Sequence, residues 1–105
     1  MYEYQAKIVR VVDGDTVDVL VDLGFHISIE MKLRLYGINT PELKEEAGKT
    51  ARDYLFNRLY NKTVTIKTYK DRQEKYGRYL STVLLDGENI NEDLVDKGYA
   101  KRYLP

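Results

Sequence analysis

The chain contains no cysteine and a single histidine, His26. Without thiols it can have no disulfide framework, no thiolate metal site and no cysteine nucleophile. One imidazole cannot build a multi-histidine zinc centre. Any divalent metal used here must be held by oxygen ligands, which favours calcium or magnesium over zinc or copper. Nowhere do about 18 apolar residues follow one another, and the N-terminal stretch Met1-Tyr2-Glu3-Tyr4-Gln5-Ala6-Lys7 has no apolar run of signal-peptide length. The expectation is a soluble, cytoplasmic protein with no membrane contact, secretion staying open for a processed or truncated form. Net charge is also absent: 17 basic and 17 acidic side chains cancel, and the pI is near 6.6. A basic coat over the whole surface is therefore excluded, though a local patch is not.

What is present fits one globular domain spanning residues 1–105 and expected to be a monomer, since 105 residues at 12.3 kDa leave no room for a second core. Apolar residues make up 43% and charged residues 32%, an ordinary globular balance. The charge is segregated. Residues 1–57 carry ten acids and seven bases, whereas 58–80 carry seven bases and two acids. That positive block, from Arg58 through Lys62, Lys67, Lys70, Arg72 and Lys75 to Arg78, predicts a basic groove.

Three period-two segments open the chain, the mark of strands with one buried face. The first places Ala6, Ile8 and Val12 on one face and Val9 and Val11 on the other. The second aligns Val17, Val19, Val21 and Leu23, and the third Ile27, Ile29, Met31, Leu33 and Leu35. Glycine turns at Asp13-Gly14 and Leu23-Gly24 join them, the first predicting a tight hairpin with positive φ. Leu43, Ala47, Ala51, Leu55 and Leu59 then form a helical stripe, its first turns weakened by Gly48. Val64–Tyr69 and Tyr79–Leu85 return to strand character, the latter ending at an Asp86-Gly87 turn. A short helix closes the pattern, capped by Asn89 with Glu92 three residues on and stopped by Gly98. The order β-β-β-α-β-β-α predicts an α+β chain built on a β-barrel: the oligonucleotide/oligosaccharide-binding (OB) fold, a five-stranded Greek-key barrel. A five-stranded sheet with two packed helices is the alternative.

Several motifs admit both a structural and a chemical reading. Asp13-Gly14-Asp15-Thr16 makes a tight turn, and it could also aim a carboxylate at a hard cation, with Asp15 the candidate and Asp13 and Asp18 nearby. Thr40-Pro41-Glu42 reads as helix cap, first-turn proline and dipole-matched acid. The same stiffness would hold Glu42 as a general base. Arg34 on a polar strand face and Arg78 after a loop are ordinary surface cations unless they converge, in which case they would clamp a phosphate. Most of the ten tyrosines are expected to pack in the core or on the barrel surface. Tyr76, in the basic loop Lys75-Tyr76-Gly77-Arg78, could instead stack on a base or bond a phosphate. His26 has no evident partner.

Taken in order, Asp13-Gly14-Asp15-Thr16-Val17, Arg34-Leu35, Thr40-Pro41-Glu42, Lys75-Tyr76-Gly77-Arg78 and Asn91-Glu92 with Leu94-Val95 and Gly98 resemble the staphylococcal nuclease (thermonuclease) family. The resemblance implies a calcium-dependent nuclease on an OB-fold, hydrolysing phosphodiesters of DNA and/or RNA, single strands favoured, and leaving 3′-phosphate ends; endonuclease and exonuclease action both stay open. It implies calcium ligands at Asp15, Asn39 and the Thr40 carbonyl, with Glu42 as general base and Arg34 and Arg78 on the scissile phosphate. Lys75 and Tyr76 would contact the nucleotide.

Two departures follow from the same comparison. The family usually has aspartate where this chain has Asn39, which removes a negative charge and predicts weaker calcium binding, compensation by Asp13 or Asp18, or loss of catalysis. The sequence stops at Tyr103-Leu104-Pro105 where family members commonly continue into a further helix, and the segment after Pro41 is short. The rival expectation is a catalytically weakened or silent OB-fold module that binds single-stranded nucleic acid or protein.

Overall fold

The structure, a computed structural model, describes residues 2–73 and 77–103, the side chains of 69–73 excepted. Its elements are β1 (Tyr2–Asp13), β2 (Thr16–Asp22), β3 (Ser28–Leu35), β4 (Ile38–Asn39), α1 (Glu46–Leu59), β5 (Thr63–Gln73), β6 (Tyr79–Leu85), β7 (Glu88–Asn89), α2 (Ile90–Asp96) and β8 (Lys101–Arg102). Hydrogen-bonded neighbours run β3-β2-β1-β5-β6, and a parallel pairing of β3 with β6 closes the ring. This is the five-stranded OB-fold barrel that the element order predicts. Valine, isoleucine and leucine from every wall fill it, including Ile8, Val17, Val19, Leu33, Ile66 and Val83. The short β4 and β8 form a separate ribbon that the period-two pattern does not reveal.

The departures from the predicted pattern each have a local cause. Two irregularities in the β1–β2 register, between Ile8 and Arg10 and between Val11 and Asp13, break strict alternation. Val11 therefore turns into the core while Val12 is half-buried, the reverse of the predicted faces. On β3 only Leu33 and Leu35 of the predicted stripe are fully buried, because the strand meets β6 only over Leu33–Leu35. Its earlier half extends past the closed part of the barrel, leaving Ile27 and Ile29 exposed together with Leu23. The hairpin there reverses at Phe25 and His26, both in the left-handed region, and Phe25 is 94% exposed.

Helix α1 begins at Glu46, not near Thr40, and its buried face is Gly48, Ala51, Leu55 and Leu59. A strict four-residue repeat drifts about 40° per step from the 3.6-residue period. The predicted stripe therefore misassigned Ala47, which is exposed, and Leu43, which precedes the helix. The N-cap position is Glu45, with no side-chain cap bond, so the capping role read for Thr40 is not realised. Helix α2 follows expectation: Asn89 Oδ1 accepts from Glu92 N at 3.0 Å. Beyond Gly98 the chain turns back, with Tyr99 N donating to Leu94 O at 2.9 Å.

Asn91 holds the closure. Buried on α2, its Oδ1 accepts from Val83 N at 3.1 Å, and its Nδ2 donates to Tyr36 O at 3.0 Å and to Ser81 O at 3.1 Å. One amide thus joins α2, β6 and the chain leaving β3. Replacing Asn91 with Leu keeps the branched shape and removes three hydrogen bonds to the backbone, leaving Val83 N without its side-chain acceptor, so a loss of about 3 kcal/mol is expected from urea unfolding. A change under about 0.5 kcal/mol, the range of neutral surface substitutions, would show that the clasp is dispensable.

A second polar cluster joins the helices. Asp93 accepts hydrogen bonds from Tyr54 and, at 3.1 Å, from Lys97, and pairs with Arg58 at 2.8 Å. Arg58 also meets Glu88 at 2.6 Å, and Tyr54 stacks on Tyr99. Burial pushes the Asp93 carboxyl up, but the hydrogen bonds from Tyr54 and Lys97 and the charges of Lys97 and Arg58 bring it below the ordinary aspartate value. A depressed carboxyl stabilises the fold above its unfolded pKa and ceases to do so as pH falls through the folded one. Asp93→Asn should therefore be less stable than the native protein at pH 7, with the gap shrinking below about pH 4. A gap that stays constant from pH 7 to pH 3 in denaturant titrations would contradict this.

Candidate active site

The β1–β2 turn, the end of β3, the segment after β4 and the start of β6 meet at one end of the barrel. In the β2–β3 ladder Thr16 stands opposite Arg34, and Leu35 N donates to Asp15 O at 2.8 Å. Barrel closure pairs Leu33 with Tyr79, which brings Arg78, one residue before β6, to the same edge. The backbone ladders therefore assemble three segments that are far apart in sequence.

The centre is the Asp15 carboxylate, only 6% exposed. Thr16 Oγ1 lies 3.2 Å from its Oδ1, Thr40 N donates to its Oδ2 at 3.1 Å, and Arg34 Nη1 lies 3.2 Å from the same oxygen. Arg34 further donates from Nη1 to Leu35 O at 3.1 Å and from Nη2 to Asn39 Oδ1 at 3.2 Å. Arg78 Nη1 donates to Thr16 Oγ1 at 3.1 Å. Asp15, Arg34, Asn39, Thr40 and Arg78 are thus brought together, with Thr16 as a member to which the sequence reading gave no role. The available signal was its position, a hydroxyl directly after Asp15 and at the head of β2, on the face opposite the apolar Val17, Val19 and Val21.

The neighbouring acids differ in their roles. Asp13 Oδ1 accepts from Asp15 N at 3.0 Å; burial and then the Asp15 side chain push its carboxyl above the ordinary aspartate value, against the lowering by that N–H. Asp18 is engaged by Lys32 at 2.8 Å, so it is poorly disposed to replace a missing charge near Asn39. The turn itself differs from expectation: Gly14 does not adopt positive φ. Its glycine is required by space, since a Cβ there would lie 2.8 Å from Thr40 Oγ1 and 2.9 Å from the Ala51 Cβ.

Glu42 has a fixed backbone and an open side chain. Its carbonyl accepts from Glu45 N at 3.0 Å, and the carboxylate, 73% exposed, pairs with Lys44 at 3.3 Å. It is not bonded to the Asp15 cluster. Lys75 and Tyr76 lie outside the described residues. The predicted basic groove is interrupted at its start, because Arg58 is engaged by Glu88 and Asp93. A hollow of about 270 Å³ elsewhere is lined by Tyr36, Thr82, Asn91 and Arg102, among others, and by none of the Asp15 cluster. No helix among the described residues is long and apolar enough to cross a membrane.

Fold and cluster define an OB-fold barrel carrying a carboxylate–diarginine edge. The chain belongs to the staphylococcal nuclease family: the family model described as staphylococcal nuclease homologue matches residues 32–104. A thermonuclease of Staphylococcus hyicus is 34% identical over 94% of this chain and 59% of its own length. An uncharacterized protein of Methanocaldococcus jannaschii is 33% identical over 96% of this chain and 60% of its own. In the endonuclease YhcR of Bacillus subtilis, 34% identical, the match covers 96% of this chain and 9% of the relative. The chain thus spans about three fifths of the first two relatives and a small part of the third.

Gly48 is what sets the Glu42 backbone against α1. A Cβ at position 48 would fall 1.9 Å from the Glu42 carbonyl oxygen and 2.5 Å from its carbon. Gly48→Ala should therefore cost about 2–3 kcal/mol through overpacking, and should shift amide resonances of residues 41–45 more than those of the barrel. An unchanged urea midpoint would refute this close approach.

Proposed function

We propose that the chain is a calcium-dependent nuclease that acts as a monomer on phosphodiesters of DNA and/or RNA, single strands preferred. The observation that carries this reading is the convergence of Asp15, Arg34, Asn39, Thr40 and Arg78 at one barrel edge. Membership of a nuclease family supports it, as does likeness to a thermonuclease.

The donor set suits a hard cation. Among the described residues no group of three or more His, Cys, Asp or Glu side chains gathers, so a metal would rest on the Asp15 carboxylate, the Asn39 amide oxygen, the Thr40 carbonyl and water. Asp15 Oδ2 and Asn39 Oδ1 already flank the positive guanidinium of Arg34, so both oxygens are directed at positive charge. All-oxygen ligation with one formal negative charge fits calcium of modest affinity. Bound calcium would neutralise phosphate charge and polarise the P–O bond.

The protein groups then divide the work. Arg34 and Arg78 bind the anionic phosphate and stabilise the charge that grows on its oxygens as water attacks. Glu42, exposed at its carboxylate and fixed at its backbone, accepts the proton of that water. The new bond forms to phosphorus while the bond to the 5′-oxygen breaks, and the leaving oxygen takes a proton from solvent. Lys75 and Tyr76 are proposed to hold the nucleotide.

Denatured DNA incubated with millimolar calcium should be shortened, and excess chelator should stop the reaction. Glu42→Gln and Arg78→Ala should each lower the rate about 100-fold or more, and Asn39→Asp should lower the calcium concentration required. Binding without cleavage, indifferent to chelator, would instead establish the silent-module alternative, for which the neutral Asn39 and the Lys44-paired Glu42 speak.

A further inference from the structure

Thr16 is buried to 2% exposure at the head of β2, yet its side chain is polar and doubly engaged. A hydroxyl has one proton to give and lone pairs to receive with. Here Oγ1 donates toward Asp15 Oδ1 at 3.2 Å and accepts from Arg78 Nη1 at 3.1 Å. Asp15 accepts only and Arg78 donates only, so the direction of both bonds is determined. A buried polar side chain with both functions used in this way costs little, and its removal takes one hydrogen bond from the Asp15 carboxylate and one from the Arg78 guanidinium.

We propose that Thr16 is a positioning residue that fixes the Arg78 guanidinium relative to the Asp15 carboxylate, so that the phosphate-binding cation and the metal-side carboxylate form one rigid unit. The inference rests on the reading of Arg78 as a phosphate ligand. Arg78 sits directly before β6, after a turn, and Gly77 adopts positive φ. The backbone pairing that begins at Tyr79 delivers the arginine to the barrel edge, and the hydroxyl then selects one orientation of a long, rotamer-rich side chain. Preorganised charge of this kind acts on the transition state without reorganising during the reaction. Losing it should therefore lower kcat more than it raises KM.

The isosteric Thr16→Val removes the hydroxyl and keeps the β-branched shape, while Thr16→Ser keeps the hydroxyl. Thr16→Val is expected to lower kcat about 10-fold with KM changed less than about 3-fold, and Thr16→Ser should recover most of the rate. In the Arg78→Ala background, Thr16→Val should add little, because the group that it positions is gone. Equal loss in both backgrounds, or a Thr16→Ser protein as slow as Thr16→Val, would overturn the proposal.

A readout independent of cleavage separates this inference from the nuclease assignment. Nitrogen-15 NMR of the native protein should show slowed rotation of the Arg78 guanidinium, retained in Thr16→Ser and measurably faster in Thr16→Val. Free rotation in the native protein overturns the proposal whether or not the chain cleaves DNA and whether or not Thr16→Val folds. Rotation restricted in the native protein and faster in Thr16→Val supports the positioning role even where nothing is cleaved, and then counts against the nuclease reading alone; rotation equally restricted in Thr16→Val overturns the proposal.

Discussion

A buried carboxylate governs this barrel edge. Ionised Asp15 is nearly withdrawn from water, and leaving such a charge unpaired costs several kcal/mol. Its partners come from three places in the chain: the neighbouring hydroxyl of Thr16, the Thr40 amide beyond β4, and the Arg34 guanidinium of β3. Satisfying one charge therefore specifies where three segments meet. Gly14 makes the meeting sterically possible, because the turn, Thr40 and Ala51 of α1 approach too closely for a Cβ between them. The hydrogen bonds assigned to Asp15 are thus a statement about chain path as well as electrostatics.

The opposite constraint is uncharged. Parallel β3–β6 pairing covers only three residues of β3, a short seam for closing a barrel. Tyr36 N extends it by donating to Ser81 O at 2.8 Å, and the Asn91 amide binds the Tyr36 and Ser81 carbonyls on the other side. Since Arg34 lies within this seam and Arg78 directly precedes it, whatever keeps β3 beside β6 also keeps the two guanidiniums at one edge. The link between Asn91 and the site is therefore geometric: it holds the strands, and the strands present the cations.

Long-range features were legible in the sequence wherever a repeating pattern reported on them. Five strands, two helices, the Asn89 cap and the Gly98 stop all emerge from periodicity and end signals, and the barrel follows from their order. Where the pattern is broken by a neighbour, it misleads. Two ladder irregularities inverted Val11 and Val12, and the unclosed half of β3 left Ile27 and Ile29 in solvent although their alternation is faultless. Gly48 shows the same lesson differently: intrinsic propensity marks it as a weak helix residue, whereas packing makes it the residue that admits the Glu42 backbone. The family motifs located Asp15, Arg34, Thr40 and Arg78. They could not disclose Thr16 as the joint between them, because that role exists only after β2 and β6 have come together.

The charge distribution bears on why anion and cation would be taken up together. Near the edge stand Arg34 and Arg78 on one side and Asp13, Asp15 and Glu42 on the other, so the acids and bases nearly cancel before any ligand arrives. The Asp13 carboxyl is pushed up first by burial and then by the Asp15 side chain beside it, and further negative charge there would add to that repulsion. A phosphodiester alone would add to that strain, and a divalent cation alone would compete with Arg34 for Asp15 and Asn39. Under the proposed function they would offset each other: a cation would use the oxygens that now hold Arg34, and the freed guanidinium would have the phosphate as its new partner. With asparagine rather than aspartate at position 39, less charge opposes Arg34's departure from that side. An asparagine that would weaken cation binding would thereby also hold less tightly the arginine that the cation would displace, so its net effect would be smaller than ligand charge alone suggests.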